Sequence, residues 1–497
     1  MKAANPTRSA STGTLAAIGG LSALFLALNI LTADRSPTVW IDEVLFTDPG
    51  VNLALGRGFR STTSAYQDRT ELYAANAPLH PLLVAAWVKT FGFTVTSVRS
   101  LNYVLVVALL LLLWDASRRL ELIRGVRGAV LLTLLIFGGY AITFSYRSGR
   151  YDMLGAALAA ALFWLSSHPS STRRVAASIA VAALLPWTGL QLIPYAAALG
   201  LVVSACLGRR SLGTLVPIGF GIALGGAALL LHFAVNGVLD DFVRSVTGMS
   251  DAASGVWPRV AAVAAGLRTD ISSALVLLAL LLSALDDLRT RRSFQWCTPA
   301  VAGVLFAIAV PLVVGLAGRW MGYYSWMKFV PMSVCAVAAL TSGPIERPRW
   351  LTAGSLVLIL AAASGLAGRM AIVAAEWQAR DYTPLEAFVS SNVMRDDIVY
   401  SEFQAYYPAR RTAGEVYLPT HLSALPAEDK NAITAAIVDP SGLQAFQASV
   451  GGTWAAQAHY TSPPNQSGIV TSLARIFGRE GGTFGPYRLT VYRRSGD

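Results

Sequence analysis

Charged residues are scarce in this chain. Only 13% of its 497 residues are Asp, Glu, Lys or Arg, whereas 54% are hydrophobic, and the mean hydropathy is +0.52. Because a soluble protein carries about 25% charged residues, this composition excludes an ordinary soluble domain and places most of the chain in lipid. The net charge of +11 does not indicate a nucleic-acid partner, since the basic residues cluster in short loops between apolar segments.

Cysteine and histidine are also rare. The three cysteines, Cys206, Cys297 and Cys335, lie in or beside apolar segments, so we expect no disulfide framework. The five histidines lack the spacing of metal ligands, which argues against a histidine zinc site. Carboxylates could still hold Mg²⁺, Mn²⁺ or Ca²⁺ through oxygen ligands, so the sequence leaves a divalent cation open.

Long apolar runs, in contrast, recur along the first three quarters of the chain. Their lengths predict a polytopic α-helical membrane protein with about eleven spanning helices. The expected spans are 13–33, 97–114, 128–144, 153–167, 174–186, 188–207, 212–235, 271–285, 298–317, 326–342 and 350–370. The segment 79–92 is apolar but too short to span comfortably, so we expect it to lie in the interface or to re-enter partway.

The basic residues predict the orientation. They concentrate in alternate loops, for example at Arg118, Arg119, Arg173 and Arg174, which makes these loops and the N-terminus cytoplasmic. With an odd number of spans, the C-terminal region then lies on the other side, periplasmic or extracellular. The expected location is a bacterial inner (plasma) membrane.

Two domains follow from this pattern. Residues 1–374 form the membrane domain, with 34–96 as its first outer loop, and residues 375–497 form a small extracytoplasmic α/β domain. The C-terminal region is far less apolar and is long enough for its own core. Its predicted helices are 384–394 and 442–450, and its predicted strands are 397–401, 433–439 and 487–493.

Polar residues from three distant segments face the same outer side in this topology. They are Asp42 and Glu43 after the first span; Arg147, Arg150 and Asp152 between the third and fourth; and Tyr323, Tyr324 and Lys328 entering the tenth. Arginine and lysine can bind a lipid phosphate, and a positioned carboxylate can accept the proton of a hydroxyl nucleophile. Together they predict chemistry on a lipid-linked substrate at the membrane surface.

Several motifs in this order resemble a known family. An acidic pair, Asp42-Glu43, follows one membrane helix, and then come Ala77-Pro78-Leu79-His80-Pro81 and Val98-Arg99-Ser100-Leu101-Asn102. The stretch from Arg147 to Asp152 matches a further Arg-x-x-x-x-Asp-like context. Over about residues 13–340 the chain resembles GT-C glycosyltransferases of the group that contains protein O-mannosyltransferases and the lipid A aminoarabinose transferase. In the family's Pro-Pro-Leu-Tyr-Pro-like segment, the first proline is replaced here by Ala77 and the tyrosine by His80.

The resemblance implies a function and a set of roles. The expected reaction is inverting transfer of a sugar from a polyprenyl-phosphate donor to a hydroxyl on a glycolipid, polysaccharide or protein acceptor. Asp42 would be the general base and Glu43 would position the acceptor. Asp152 would be a second acidic residue or a metal ligand. Arg147, Arg150 and Lys328 are the candidates for binding the donor phosphate, and His80, Tyr323 and Tyr324 are the candidates on the substrate side.

Each residue also has a purely structural interpretation. Asp42 and Glu43 suit the first turn of an interfacial helix, and Asp152 could simply lower the cost of burying a neighbouring arginine. Lys328 could snorkel to the interface, His80 could pack between prolines, and the tyrosines could belong to an aromatic belt.

Two other functions remain open from the sequence. A transporter or flippase of polyprenyl-linked glycans would use the same cations without catalysis. It should, however, show polar residues at midplane depth, and few are present. A binding protein whose working part is the region 375–497 would not need so many spans.

Overall fold

The computed structural model describes residues 12–63, 67, 71–248, 255–291, 298–341, 349–463 and 487–495. Cys297 and the basic loops at 292–297 and 342–348 lie outside this part of the chain. The helices up to residue 375 are α1 Thr12–Leu31, α2 Ile41–Ala54, α3 Leu79–Phe91, α4 Val95–Arg119, α5 Gly125–Gly138, α6 Tyr140–Tyr146, α7 Asp152–Ser166, α8 Thr172–Thr188, α9 Leu192–Leu207, α10 Leu212–Val235, α11 Leu239–Gly248, α12 Val256–Thr269, α13 Ile271–Arg291, α14 Pro299–Leu316, α15 Trp326–Thr341, α16 Arg349–Ala363 and α17 Leu366–Ala375.

Apolar helices dominate this region, as the sequence predicts. By length and composition, five segments among the described residues can span a membrane, and two bent helix pairs, α5 with α6 and α16 with α17, raise the number to seven. The expected count of about eleven is therefore not confirmed. The shortfall of four has two causes. The helices α7, α8 and α15 have 15, 17 and 16 residues, fewer than the roughly 20 that cross a bilayer unaided, and α9 and α10 are counted together as one segment, Leu192–Val235.

Small residues let some of these helices approach closely. Gly221 and Gly225 lie one turn apart on α10, and added Cβ atoms would come within 2.4 Å and 2.0 Å of the carbonyl oxygens of Ile179 and Ala183 on α8. Any side chain at these positions would force the two backbones apart. This small-xxx-small spacing is the usual way in which helices pack closely in lipid.

The segment between α1 and α4 contains two helices rather than an extended loop. α2 begins with the acidic pair, and α3 is the short apolar helix that the sequence predicts. The two helices pack against each other at Gly50, where an added Cβ would lie 2.3 Å from the carbonyl oxygen of Pro81. A further short helix, α11, follows α10, with Arg244 Nη2 2.7 Å from Asp241 Oδ1.

The C-terminal region forms the small α/β unit that its patterning predicts. Its elements are α18 Thr383–Asn392, β1 Ile398–Ser401, α19 Tyr406–Thr412, β2 Glu415–Tyr417, α20 Pro419–Leu422, α21 Ala427–Ala432, β3 Ala435–Val438, α22 Leu443–Val450, β4 Trp454–Thr461 and β5 Arg488–Arg494. The sheet order is β2-β1-β3-β5-β4. The first three strands are parallel, and β5 runs antiparallel to β3 and β4. The elements β2, β4, α19, α20 and α21 were not predicted.

Candidate functional site

The two acidic neighbours at the start of α2 have different surroundings. The Asp42 side chain is 18% exposed and contacts Arg150. The Glu43 side chain is fully buried and receives two hydrogen bonds from Arg99, Nε to Oε1 at 2.7 Å and Nη2 to Oε2 at 2.5 Å. Only Asp42 is thus placed to meet a substrate, whereas Glu43 is bound within the protein.

Arg150 joins two of the predicted carboxylates. Its Nη1 donates to Asp42 Oδ2, and its Nε donates to Asp152 Oδ2 at 2.7 Å. Burial lowers the pKa of the Arg150 guanidinium, but Asp152 and Asp42 raise it by more, so this pKa lies well above its ordinary value. Trp326 Nε1 donates to the other oxygen of Asp152 at 3.2 Å. The site therefore contains a permanent buried cation between two carboxylates.

Five aromatic rings surround this cation. The Arg150 Cζ lies 4.0 Å from the ring centroid of Tyr323, and 5.4–5.8 Å from the centroids of four further rings, which are those of Phe46, Tyr324, Trp40 and Tyr151. Rings at these distances attract a guanidinium through their negative faces. Burial raises the pKa of Tyr323 and Tyr324, so both phenols keep their protons and can donate hydrogen bonds. We call Arg150 with these five rings the aromatic cage.

Sequence reasoning identified two rings of the cage and missed three. Trp40 and Phe46 lie two residues before and four residues after Asp42, which places Phe46 on the same face of α2 as Asp42. The four-residue spacing on a helix could therefore have identified Phe46 as a neighbour of Asp42. Tyr151, whose hydroxyl lies 2.8 Å from that of Tyr324, gave no signal beyond its place beside Arg150.

The second arginine of this loop, Arg147, binds elsewhere. Its guanidinium donates to the side chain of Asn29 and to the carbonyl oxygens of Thr32 and Ser36, at 2.7–3.1 Å. These acceptors lie at the end of α1 and just beyond it, where helix carbonyl groups lack intrahelical partners. Arg147 thus caps α1, and the structure does not bring it together with Asp42.

Lys328 also has a partner that the sequence did not reveal. Its Nζ lies 3.3 Å from Asp270 Oδ2, and both side chains are 2% exposed. Asp270 Oδ1 accepts from the Ser272 hydroxyl and the Ser273 amide at the start of α13, as a capping residue does. Within the described part of the chain, Lys328 forms no ion pair or hydrogen bond with Asp42, Arg150 or Asp152.

Two side chains on α4, Arg99 and Asn102, bind the segment before α2 and the loop that carries Arg150. Besides binding Glu43, Arg99 donates through Nη1 to the carbonyl oxygens of Ala33 at 2.5 Å and Pro37 at 2.9 Å. Asn102, one turn further, donates through Nδ2 to the carbonyl oxygens of Ser148 at 2.5 Å and Arg150 at 2.7 Å. The Arg-x-x-Asn spacing was noticed in the sequence, but its partners were not predictable from it.

His80 also supports the loop that carries Arg150. Its Nε2 lies 2.8 Å from the carbonyl oxygen of Gly149, and burial lowers its pKa to about 4, so Nε2 carries the proton and donates. Gly149 packs directly against α2, since an added Cβ would lie 2.6 Å from Thr47 Cγ2. His80 therefore touches the site's framework rather than the open side of Asp42.

Within the part of the chain that the structure describes, the acidic residues do not form a metal centre. The described residues contain no group of three or more His, Cys, Asp or Glu side chains that could hold a metal ion. The carboxylates of Asp42 and Asp152 are both bound to Arg150. The donor set thus does not fit the divalent cation that the sequence left open.

Comparisons with known proteins show the fold. No protein-family model matches the sequence, and no curated protein matches it significantly. The structure resembles that of ArnT from Cupriavidus metallidurans bound to undecaprenyl phosphate, with a TM-score of 0.59 and 13% identity over 98% of this chain and 99% of that chain. It also resembles the arabinofuranosyltransferase AftD from Mycobacteria, with a TM-score of 0.52 and 13% identity over 98% of this chain and 40% of that chain.

A third similar structure is the oligosaccharyltransferase of Archaeoglobus fulgidus, with a TM-score of 0.50 and 11% identity over 90% of this chain and 73% of that chain. All three proteins are GT-C glycosyltransferases. With its apolar helices and its small C-terminal sheet, this chain is a multi-pass membrane protein that has the GT-C fold.

Proposed function

We propose that this protein is a membrane glycosyltransferase that uses a lipid-linked donor. In the finer form of the proposal, it moves a sugar from a polyprenyl phosphate to a hydroxyl group of a glycolipid, polysaccharide or protein, with inversion. The single observation that carries the proposal is the Asp42–Arg150 pair on a GT-C fold. It joins a partly exposed carboxylate to a buried cation inside the aromatic cage.

Asp42 is suited to be the general base. Its side chain is 18% exposed, whereas those of Glu43 and Asp152 are fully buried, so it is the one carboxylate of the three that an acceptor can reach. It would take the hydroxyl proton while the acceptor oxygen forms a bond to the anomeric carbon. The bond from that carbon to the phosphate oxygen breaks, and polyprenyl phosphate leaves with the electron pair.

Arg150 is the best candidate for contact with the donor. Its Nη2 is buried and has no hydrogen-bond partner in the described part of the chain, so a phosphate or sugar oxygen of a donor that enters between the rings of the aromatic cage would supply the missing acceptor. A fixed cation beside the departing phosphate stabilises the charge that develops there. Because Arg147 and Lys328 are bound to α1 and to Asp270, we assign them structural roles and leave phosphate binding to Arg150.

The proposal also assigns roles to the residues around Arg150 and a location to the site. Asp152 would hold Arg150 in place, and Tyr323 and Tyr324 would contact the sugar or the phosphate from the wall of the cage. We place the site at the outer face of a bacterial inner membrane, with the N-terminus cytoplasmic. The similar structure of ArnT supports a lipid donor, because ArnT was solved bound to undecaprenyl phosphate.

The test measures sugar transfer by purified wild type, Asp42→Asn and Asp240→Asn from a panel of radiolabelled polyprenyl-phosphate sugars to membrane-extract acceptors. Asp240 lies exposed on α11 and provides the matched control. We expect transfer by the wild type and the control, and a loss of about 10²–10⁴-fold in Asp42→Asn. Full transfer by Asp42→Asn would refute the assignment of the base. Binding of the lipids without any transfer would favour a flippase.

A further inference from the structure

The positive charge between Asp42 and Asp152 belongs to the chain itself. One guanidinium contacts Oδ2 of both carboxylates through two different nitrogens, Nη1 and Nε. The Arg150 and Asp152 side chains are fully buried. Two acidic residues from separate segments, facing one cation, are the arrangement that a divalent metal ion would also bind.

The walls of the site favour a guanidinium over a metal ion. Mg²⁺ needs about six oxygen ligands in octahedral geometry, and Ca²⁺ needs about six to eight. Here the faces around the cation are aromatic rings, with centroids 4.0–5.8 Å from Arg150 Cζ, which supply no lone pairs of that kind. A guanidinium, in contrast, is planar, weakly hydrated and well suited to stack on aromatic rings.

The backbone of Arg150 is also held firmly. Asn102 Nδ2 donates to the carbonyl oxygens of Ser148 and Arg150, and His80 donates to that of Gly149. These bonds hold three consecutive residues of the loop, so the guanidinium is delivered to a set position. The burial and geometry therefore describe a built-in cation, whose presence does not depend on ion concentration.

We propose that Arg150 takes the place of a divalent cation in this site, so that Asp42 and Asp152 bind no metal and sugar transfer requires none. The reaction part of this inference rests on the proposed function, whereas the position of the charge does not. Arg150 fixes the orientation of Asp42 through Nη1 and leaves Nη2 for the donor's oxygen atoms, the two tasks that a bridging metal would perform.

Mn²⁺ binding to the full-length protein tests the position of the charge without any activity measurement. Mn²⁺ is titrated into purified, metal-stripped wild type, Asp42→Asn, Arg150→Ala, and Arg150→Ala with Asp152→Asn, and bound ion is measured by electron paramagnetic resonance. We expect no binding by the wild type. We expect binding by Arg150→Ala, because it leaves two unpaired carboxylates and, in place of the guanidinium, room for water molecules that complete the oxygen ligands. We expect loss of that binding when Asp152→Asn is added. Binding by the wild type that Asp42→Asn abolishes would overturn the proposal, as would the absence of binding by a folded Arg150→Ala.

Transfer activity supplies the second arm, which does not depend on how well Arg150→Ala folds. With a chelator present, we expect the wild type to keep its transfer rate within about twofold. Loss of transfer in chelator, restored by Mg²⁺ or Mn²⁺, would overturn the inference while leaving the glycosyltransferase assignment intact. If the wild type transfers no sugar from any donor, the proposed function fails, and Mn²⁺ binding alone still decides whether Arg150 occupies a cation's place.

Discussion

At the scale of single residues, the two acidic neighbours at the start of α2 have different partners and therefore different roles. Successive residues of an α-helix point about 100° apart, so Asp42 and Glu43 cannot face the same partner. Asp42 contacts Arg150 and remains partly exposed, whereas Glu43 contacts Arg99 and is fully buried. Adjacent carboxylates in the sequence therefore become one reactive group and one anchor.

The Glu43–Arg99 pair makes a stability prediction. Arg99→Ala leaves the Glu43 carboxylate charged and buried without its main partner, which costs about 3–5 kcal/mol in comparable pairs. We expect a correspondingly large loss of thermal stability, measured by unfolding of the purified protein in detergent. Arg124→Ala is the control, because Arg124 and Glu121 are 62% and 65% exposed and such pairs contribute about 1 kcal/mol or less. Equal losses in both variants would contradict an anchoring role for Arg99.

His80 makes a prediction about pH. Its pKa is lowered by burial to about 4, below the roughly 6.5 of an unfolded chain, so the unfolded state binds the proton more readily. Stability is therefore complete above about pH 6.5 and falls as the pH drops towards 4, by about 3 kcal/mol in total. Thermal unfolding measured from pH 7.5 to 4.5 should show this slope in the wild type. His80→Gln should flatten it, and an unchanged slope would contradict the assignment to His80.

At the scale of elements, α4 positions the two segments that carry Asp42 and Arg150. Arg99 holds the segment entering α2, and Asn102, three residues later, holds the loop that carries Arg150. Residues three apart on a helix share a face, so one rigid helix positions both members of the Asp42–Arg150 pair. Small errors in such a distance are costly for catalysis, with about 10²-fold in rate lost for a displacement of about 1 Å.

Asn102→Ala should therefore loosen the loop without disturbing the helix bundle. It removes two hydrogen bonds that are worth about 1 kcal/mol each, so we expect amide exchange in residues 147–151 to rise by about tenfold or more in hydrogen–deuterium exchange. Ser117→Ala is the control, because Ser117 is equally buried on the same helix and lies about 22 Å further along. Unchanged exchange in Asn102→Ala would show that other contacts hold the loop.

Several elements were predictable because their signals are local. Apolar length predicted α1, α4 and α10, and strand patterning predicted β1, β3 and β5. Among the site residues, Asp42, Arg150 and Asp152 were named as candidates, and the structure places them in one network. Nothing local distinguished Arg150 from Arg147 or Lys328, since all three are cations at the same expected side of the membrane. Which acceptor each cation meets depends on tertiary contacts, such as that between Lys328 and Asp270, which the sequence does not encode locally.

At the scale of the whole molecule, the membrane region and the C-terminal unit share a hydrophobic core. Valines of α2 and α3, such as Val44 and Val88, pack in one cluster with Leu385, Val389 and further residues of the C-terminal unit. Hydrogen bonds cross the same boundary, because Tyr406 Oη donates to Asp48 Oδ1 at 2.6 Å and Arg410 Nε donates to Asn52 Oδ1 at 2.8 Å. The helix that carries Asp42 is therefore clamped between the two parts of the chain.

This clamp makes a prediction about neighbouring arginines on α19. Burial lowers the pKa of Arg410, but Glu415 and Asp48 raise it by more, so its guanidinium stays charged. It is fully buried and binds Glu415 as well as Asn52. Glu415 lies in the same unit as Arg410, so the contact that crosses the boundary is the one with Asn52. Losing this charged hydrogen bond in Arg410→Ala should cost up to about 3 kcal/mol of docking free energy. Limited proteolysis of the full-length protein should then cut between α17 and α18 about 100-fold faster.

Arg411→Ala is the matched control, since Arg411 is the next residue and is 38% exposed, and its contacts with Glu386 and with the carbonyl oxygen of Phe93 lie at the surface. An exposed pair contributes about 1 kcal/mol or less, so cleavage should rise no more than a few-fold. Similar cleavage of the two variants would mean that Arg410 does not fasten the C-terminal unit to α2. If Arg410→Ala alone opens the junction and also slows sugar transfer, the C-terminal unit acts on the reaction through the helix that bears Asp42.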